Sequence, residues 1–373
     1  EAFAPQNPRG YEGPENSVGL REGVFSTQQA AREVAAFLLD HNRFSGVPET
    51  TLVHARHPKF KKAQNQIVWK IGAFQVFVES TDTAGNYAPS AFTTTDVHRI
   101  GILDLRIVNL DRNDGNLLVI KRGDKHKPWN ELVPIDHGLS LPDRLEVVTD
   151  DCCWMGWPQA KQPFDNRELA TKTLKETKAG GAELYIPTKG FQAGDRLIIG
   201  DISAAHVIVF LSGEHLAVLN GGLARDIPAG TAVRLESSYA IIQSLNGERD
   251  AQYLSDKLGI RRECLRLMEV TTRLLQIGAK HGLTLYDIGT ILYAERPDDD
   301  SPTPPSTLKR LIDESLDTAM AVVECHVEGP TLAGLNLDLS RREHKRWLHP
   351  VTGTGPASPS LGPSSPGSHS PMP

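Results

Sequence analysis

The stretch Val97-His-Arg-Ile-Gly-Ile-Leu-Asp-Leu-Arg-Ile-Val-Asn-Leu-Asp-Arg-Asn-Asp-Gly-Asn-Leu-Leu118 decides the reading of this sequence. Ile100, Leu103, Ile107 and Leu110 fall at helical spacing, within a helix expected over Thr95–Leu110. A polar turn from Asp111 to Asn116 follows, then a strand, Leu117–Lys121. A second strand, Glu131–Ile135, runs into Asp136-His137-Gly138. The order is helix, polar loop, β-hairpin, acidic turn.

Phosphoryl transfer needs a carboxylate near the attacking hydroxyl and oxygen ligands for the magnesium on the nucleotide phosphates. A kinase catalytic loop supplies an Asp and an Asn five positions apart, then an Asp-x-Gly after a short hairpin. Asp111 and Asn116 are five apart, and Asp136 lies 20 residues beyond the Asn. Either motif alone is common in polar loops. Their order and their helix–loop–hairpin setting make the pattern specific.

These residues resemble the phosphatidylinositol 3-/4-kinase superfamily, and within it the plant-type, type II-like gamma group of phosphatidylinositol 4-kinases. Further segments are similar to that family. They are Glu1-Ala-Phe-Ala-Pro-Gln-Asn-Pro-Arg-Gly10, the N-lobe helix segment Arg32–Asp40, and the strand and hinge Gly72–Val78. Ile135–Pro142, Trp157–Ala160 and His281–Gly289 resemble its metal motif, the segment after the activation loop and a late C-lobe helix start. The resemblance implies an α+β, protein-kinase-like core, mostly C-lobe with a partial N-lobe. It implies Asp111 as base or orienter for the acceptor hydroxyl, and Asn116 and Asp136 as magnesium ligands. It also implies that Gln75, Val76, Phe77 and Val78 offer backbone groups to adenine. Glu33 is the candidate acidic partner of the N-lobe Lys. ATP and Mg2+ are the implied cofactors, and the acceptor is phosphatidylinositol in a membrane or, alternatively, a protein serine or threonine.

Two departures shape the expectation. The family's Gly-rich phosphate loop and N-lobe Lys would precede Glu1, and no G-x-G-x-x-G or GK[ST] loop occurs among residues 1–373. The sequence is therefore expected to be N-terminally incomplete, and a non-catalytic pseudokinase or binding module is a third reading. Where gamma-group members commonly carry His after Asp-Arg, Asn113 stands here, so Asp111 carries any base role alone.

Outward from the core motifs, Gln28–Asp40 is expected to be a helix capped by Thr27. Thr50–Ala55 and Ile67–Phe77 read as strands, with the basic stretch Arg56–Lys62 as the turn between them. From Gly180 to Ser237 the pattern becomes short strands and Gly turns, placing His206 and His215 on strands as structural residues. Helical spacing returns after Ser238, so an all-β subdomain is expected to interrupt the helical region. The expected organisation is 1–80 partial N-lobe and hinge, 81–172 and 238–330 C-lobe, 173–237 β insertion, and 350–373 a disordered Ser/Pro/Gly tail. His98, Arg99, Trp154 and Trp157 are read as packing residues, with a lipid contact as the alternative for the two tryptophans.

Of the 373 residues, 40 are Lys or Arg and 46 are Asp or Glu, a net charge of −6. That argues against a bulk electrostatic nucleic-acid binder. No apolar run approaches the roughly 20 residues of a membrane span. Four cysteines without C-x-x-C spacing exclude a disulfide framework and a zinc ribbon, and point to a reducing compartment. The expected location is cytoplasmic, with a peripheral place on the cytosolic face of membranes as the further option; the basic stretch Arg56–Lys62 is read as a solvated turn, and anionic-lipid contact is the alternative for it and for Arg341–Arg346.

Overall fold

A computed structural model of the chain describes residues 23–24, 28–61, 67–122, 129–145, 152–201, 205–294 and 304–315. The chain divides into two units, Glu1–Leu311 and Ile312–Pro373. In the second, only the end of a short helix over 307–315 is described. The segment Glu1–Gly10, the cap Thr27, Cys325, the basic stretch Arg341–Arg346 and the tail from Pro350 lie outside the described residues.

The first unit opens with α1 (Gln29–Leu39), which buries Val34, Ala35, Ala36 and Leu39 at helical spacing. Its N-cap is Gln28, which makes no side-chain cap. Strands β1 (Thr50–Lys61) and β2 (Ile67–Gln75) form an antiparallel hairpin from Thr50↔Gln75 to Arg56↔Trp69. The basic stretch extends β1 instead of turning, with a register shift between Arg56 and Lys61. β-Branched and aromatic residues on β2 outweigh the charge pattern in setting that strand pair.

Strand β3 (Asp82–Thr83) precedes α2 (Thr94–Ile107), the central helix. Thr93 caps α2 by accepting from the Asp96 N–H, and Val108 ends it in the left-handed region at φ 49°. Every residue from Asp96 to Ile107 is buried, charged ones included. The charges survive burial because each is paired: Arg99 with Asp96, Arg106 with Asp250, and Asp104 with Arg112. Strands β4 (Leu117–Arg122) and β5 (Trp129–Pro134) complete a three-stranded sheet in the order β3-β4-β5.

A second sheet follows: β6 (Ala170–Lys172), β7 (Glu183–Tyr185), β8 (Arg196–Ile199), β9 (His206–Ser212), β10 (Leu216–Leu219) and β11 (Ala232–Leu235). Its order is β6-β11-β8-β9-β10-β7, and all paired neighbours are antiparallel. Its own apolar core holds Leu184, Ile186, Leu197, Ile199, Ile208 and Val233. The sheet starts at Ala170, three residues before the boundary read from composition. His215 sits in the β9–β10 turn and not on a strand, while His206 is on β9. The two ends of the segment meet, since the Asp165 N–H donates to Ser238 Oγ (2.9 Å) and the Tyr239 N–H to the Asp165 carbonyl (3.0 Å).

Helices α3 (Ser238–Ser244), α4 (Gly247–Leu258), α5 (Arg262–Lys280) and α6 (Leu285–Leu292) close the unit. A separate core joins Ala35 and Leu39 of α1 with Leu103 and Ile107 of α2, Leu254 of α4, and Leu265 and Met268 of α5. Each fully buried aliphatic side chain there contributes about 2 kcal/mol. Among the described residues no helix is long and apolar enough to cross a membrane.

Candidate active site

The loop after α2 is fastened to the turn after β5 at three points. The Leu110 N–H donates to the Leu139 carbonyl (2.9 Å), and the Leu141 N–H to the Ile107 carbonyl (2.7 Å). The Ile135 N–H donates to the Asn116 carbonyl (3.1 Å). Pairing of Leu117 with Pro134 sets this register and puts Asn116 beside Ile135, one residue before Asp136. Asp111, Asn116 and Asp136, far apart in sequence, therefore come from two adjoining loops.

Arg112 is the fastener. Its Nε donates to both Asp104 oxygens (3.2 and 3.0 Å), and its Nη1 to the Asn116 (2.6 Å) and Ile135 (2.8 Å) carbonyls. Both charges are fully buried. Burial opposes the guanidinium charge, and the adjacent Asp104 carboxylate outweighs it, raising the Arg112 pKa. Asp104 also accepts from Asn109 Nδ2 (2.9 Å) and Trp154 Nε1 (3.0 Å). This Asp104–Arg112–Asn109–Trp154 group was missed from sequence. Its signal was an Asp inside an otherwise apolar helix face, eight residues before an Arg in a polar loop.

Asp111 is half-buried; its N–H donates to Asn109 Oδ1 (3.0 Å), and Asn113 Nδ2 donates to its Oδ1 (3.2 Å). Asn113 thus steadies the carboxylate from the position where relatives were expected to carry His. Asn116 Nδ2 donates to the Asp111 carbonyl (2.9 Å), and its Oδ1 is the acceptor end of the amide. Asp136 is exposed and left-handed at φ 55°, a conformation that Asp tolerates better than most residues and that concentrates at functional sites.

Glu33 on α1 reaches this turn. Its Oε1 accepts from the Gly138 N–H (2.8 Å), and its Oε2 lies 3.6 Å from His137 Nδ1. Burial pushes the Glu33 carboxyl up, and His137, the Gly138 N–H and Asp136 together outweigh it and hold it below the usual carboxylate range. His137 is fully buried.

The hinge residues follow β2. The Val76 N–H donates to the Glu49 carbonyl (2.8 Å), so it is spent on the hairpin and not open to a ligand. The Gln75 side chain donates to Thr50 Oγ1 (2.9 Å). Phe77 is 89% exposed and Val78 half-buried.

Other side chains singled out in the sequence pack. Trp154 is buried on Asp104, Trp157 stacks on Phe92 (5.3 Å between centroids), and neither presents an apolar face to a lipid surface. His98 meets the Gln159 carbonyl (2.9 Å), and Arg99 bonds Asp96 and the Ser45 and Leu132 carbonyls. Burial pushes the Cys153 thiol up to about 12, so it is no nucleophile at neutral pH.

A helix leading into an Asp/Asn loop, a hairpin leading into an Asp-x-Gly turn, and an N-terminal helix carboxylate on that turn are the arrangement of a protein-kinase-like α+β core. The comparisons agree. Residues 8–181 match the family model described as phosphatidylinositol 3- and 4-kinase. It is 44% identical over 180 residues to phosphatidylinositol 4-kinase gamma 7 of Arabidopsis thaliana, covering 45% of this chain and 27% of that protein. It is 44% identical over 160 residues to phosphatidylinositol 4-kinase gamma 1 of the same plant, covering 40% of this chain and 28% of the relative. Phosphatidylinositol 4-kinase gamma 4 of Oryza sativa subsp. japonica matches over 303 residues at 31%, covering 78% of this chain and 39% of the relative. The chain thus spans between about a quarter and two fifths of these relatives' lengths. The family match ends at residue 181, within the second sheet's segment.

Proposed function

We propose that this chain transfers the γ-phosphoryl group of ATP to the 4-hydroxyl of phosphatidylinositol. The observation that carries the reading is the Arg112 fastening, which holds the Asp111/Asn116 loop against the Asp136 turn. The relatives' names supply the acceptor.

Asp111 would orient the acceptor hydroxyl and take its proton as that oxygen bonds to phosphorus and the bridge to ADP breaks. Asn116 Oδ1 and Asp136 would hold Mg2+. Two side-chain oxygens suit that ion, because magnesium at nucleotide sites takes one or two protein ligands and fills its shell with phosphate oxygens and water. When bound, Mg2+ neutralises charge on the phosphates. Gly138, kept in place by Glu33, fixes the turn from which Asp136 projects. The backbone of 77–78 would receive adenine. Peripheral contact with a cytosolic membrane face follows from a lipid acceptor.

The test is on the full chain, with phosphatidylinositol vesicles and a generic Ser/Thr protein offered separately. Asp111→Ala should lower turnover by about a hundredfold or more with little change in nucleotide affinity. Asp136→Asn should remove the magnesium dependence of ATP binding. Labelling of protein alone would make this a protein kinase of the same family, and labelling of neither would make it a pseudokinase. A mutant at Asp111 that labels as well as wild type would remove that residue from the chemistry.

A further inference from the structure

The loop joining α1 to β1 is held from within the core by three sets of bonds. The Asp40 carboxylate accepts from the N–H groups of Ser45 (2.6 Å), Gly46 (2.9 Å) and Val47 (2.9 Å). Ser45 exchanges bonds with Arg99 of α2, its Oγ to the Arg99 carbonyl (2.8 Å) and its own carbonyl from Arg99 Nη1 (3.1 Å). His41 Nε2 lies 2.8 Å from Asp250 Oδ2 of α4.

A fourth hold comes from the inserted sheet. Arg196, the first residue of β8, sends Nη2 to the carbonyls of Asn42 (3.3 Å) and Arg43 (3.2 Å). Its Nε donates to Glu236 Oε2 (2.9 Å), and Asn42 Nδ2 closes the circuit on Glu236 Oε1 (3.3 Å). The guanidinium sits 5.4 Å over the Phe44 ring. The Arg196 and Glu236 side chains are only 8% and 3% exposed. The two carbonyls that Arg196 captures belong to consecutive residues at φ 56° and 54°. That conformation is disfavoured for any residue with a Cβ, more so for Arg than for Asn, and persists only where surroundings hold it.

We propose that Arg196 and Glu236 are positioning residues: the inserted sheet latches the α1–β1 loop in its strained form and so sets α1 for Glu33 to grip Gly138. The lever is short and stiff, because Glu33 lies two helical turns before Asp40 on one continuous helix. The consequence for phosphoryl transfer rests on the function proposed above; the latch itself is read without activity.

The experiment is hydrogen exchange on the full chain. Arg196→Met keeps the stem and removes the donors. Amides of Ser45, Gly46, Val47 and Gly138 should exchange about tenfold faster, while those of α5 and of β9–β10 keep their protection. Adding Asn42→Gly and Arg43→Gly should restore Gly138 protection, since glycine adopts these angles without a partner. A general packing defect would not be rescued this way. Glu236→Gln serves if Arg196→Met does not fold, with the same amides read. Unchanged Gly138 exchange beside a faster loop would confine the latch to the loop and overturn the proposal. Uniform acceleration including α5, or failure of both variants to fold, would make the pair a general support and overturn it equally. Normal exchange changes with no kinase activity in the wild type would leave the latch standing and remove the function.

Discussion

Replacing Arg112 by Met tests whether the site depends on one buried guanidinium. Arg112 and Asp104 have no exposed side-chain surface, so removing the cation leaves a carboxylate buried without its counter-charge. Breaking one side of such a pair costs about 3–5 kcal/mol. Two features move the value to the low end. Asn109 Nδ2 and Trp154 Nε1 go on donating to Asp104. Arg112 Nη2 has no hydrogen-bond partner, so its removal relieves one unsatisfied donor. The expected loss for Arg112→Met is about 3 kcal/mol. Adding Asp104→Asn removes the orphaned charge and should return about 1 kcal/mol. The assay is urea unfolding, followed by near-ultraviolet circular dichroism and tryptophan fluorescence, with phosphoryl transfer measured on the same samples. Stability should recover in the double variant and activity should not, because the Asn116 and Ile135 carbonyls still lack their shared donor. A cost below about 1 kcal/mol for Arg112→Met, or a double variant no better than the sum of the singles, would refute the reasoning.

Three further outcomes are expected. Joining residue 166 to residue 237 through a short Gly-Ser linker should leave a core that unfolds cooperatively, because Asp165 and Ser238 already touch; loss of the cooperative transition would show that the sheet belongs to the core. Burial pushes the Asp250 carboxyl up, but the His41 hydrogen bond and Arg106 outweigh it and hold it at about 2. Its contribution to stability is therefore present above about pH 4 and lost as pH falls toward 2, and Asp250→Asn should flatten that part of the pH–stability curve. At Gly101 on α2 an added Cβ would overlap the Leu285 side chain of α6, so Gly101→Ala should destabilise by about 1–3 kcal/mol on thermal unfolding despite its better helix propensity.

The strands and helices that bury one face were readable because burial imposes a period. The Ile100–Leu103–Ile107 spacing of α2 and the short strands of the second sheet show this directly. Strand β6 escaped because Ala170-Thr-Lys172 is three residues long and its partner, β11, lies some sixty positions away. The basic stretch read as a turn because charge marks solvent, whereas a hairpin edge strand can be solvated and extended at once. At the site, Asp111, Asn116 and Asp136 were singled out from spacing and family resemblance, and the fold puts these three residues on two adjoining loops. What joins them was not legible. Asp104 and Arg112 look like ordinary charges in sequence, and only tertiary burial turns them into an obligate pair. The same holds for Arg196, which opens β8, and Glu236, forty residues later and just past the end of β11.

That last pair bears on what the inserted sheet is for. A domain placed between two touching residues needs no contact with its host, and a neutral passenger would expose a solvated surface toward it. Here the sheet instead buries an ion pair against the α1–β1 loop. Buried ion pairs seldom add net stability, since desolvation offsets most of the attraction. Their better-attested use is to fix one geometry among several that apolar packing would allow. The geometry fixed is a pair of left-handed residues, unfavourable in isolation, at the end of the helix that carries Glu33. A ligand or partner that alters the sheet near β8 would act on that helix through Arg196 without approaching the loops that carry Asp111 and Asp136. The link is reciprocal: stabilising the Asp136 turn with bound nucleotide should slow exchange at Ser45–Val47, and should cease to do so in Arg196→Met.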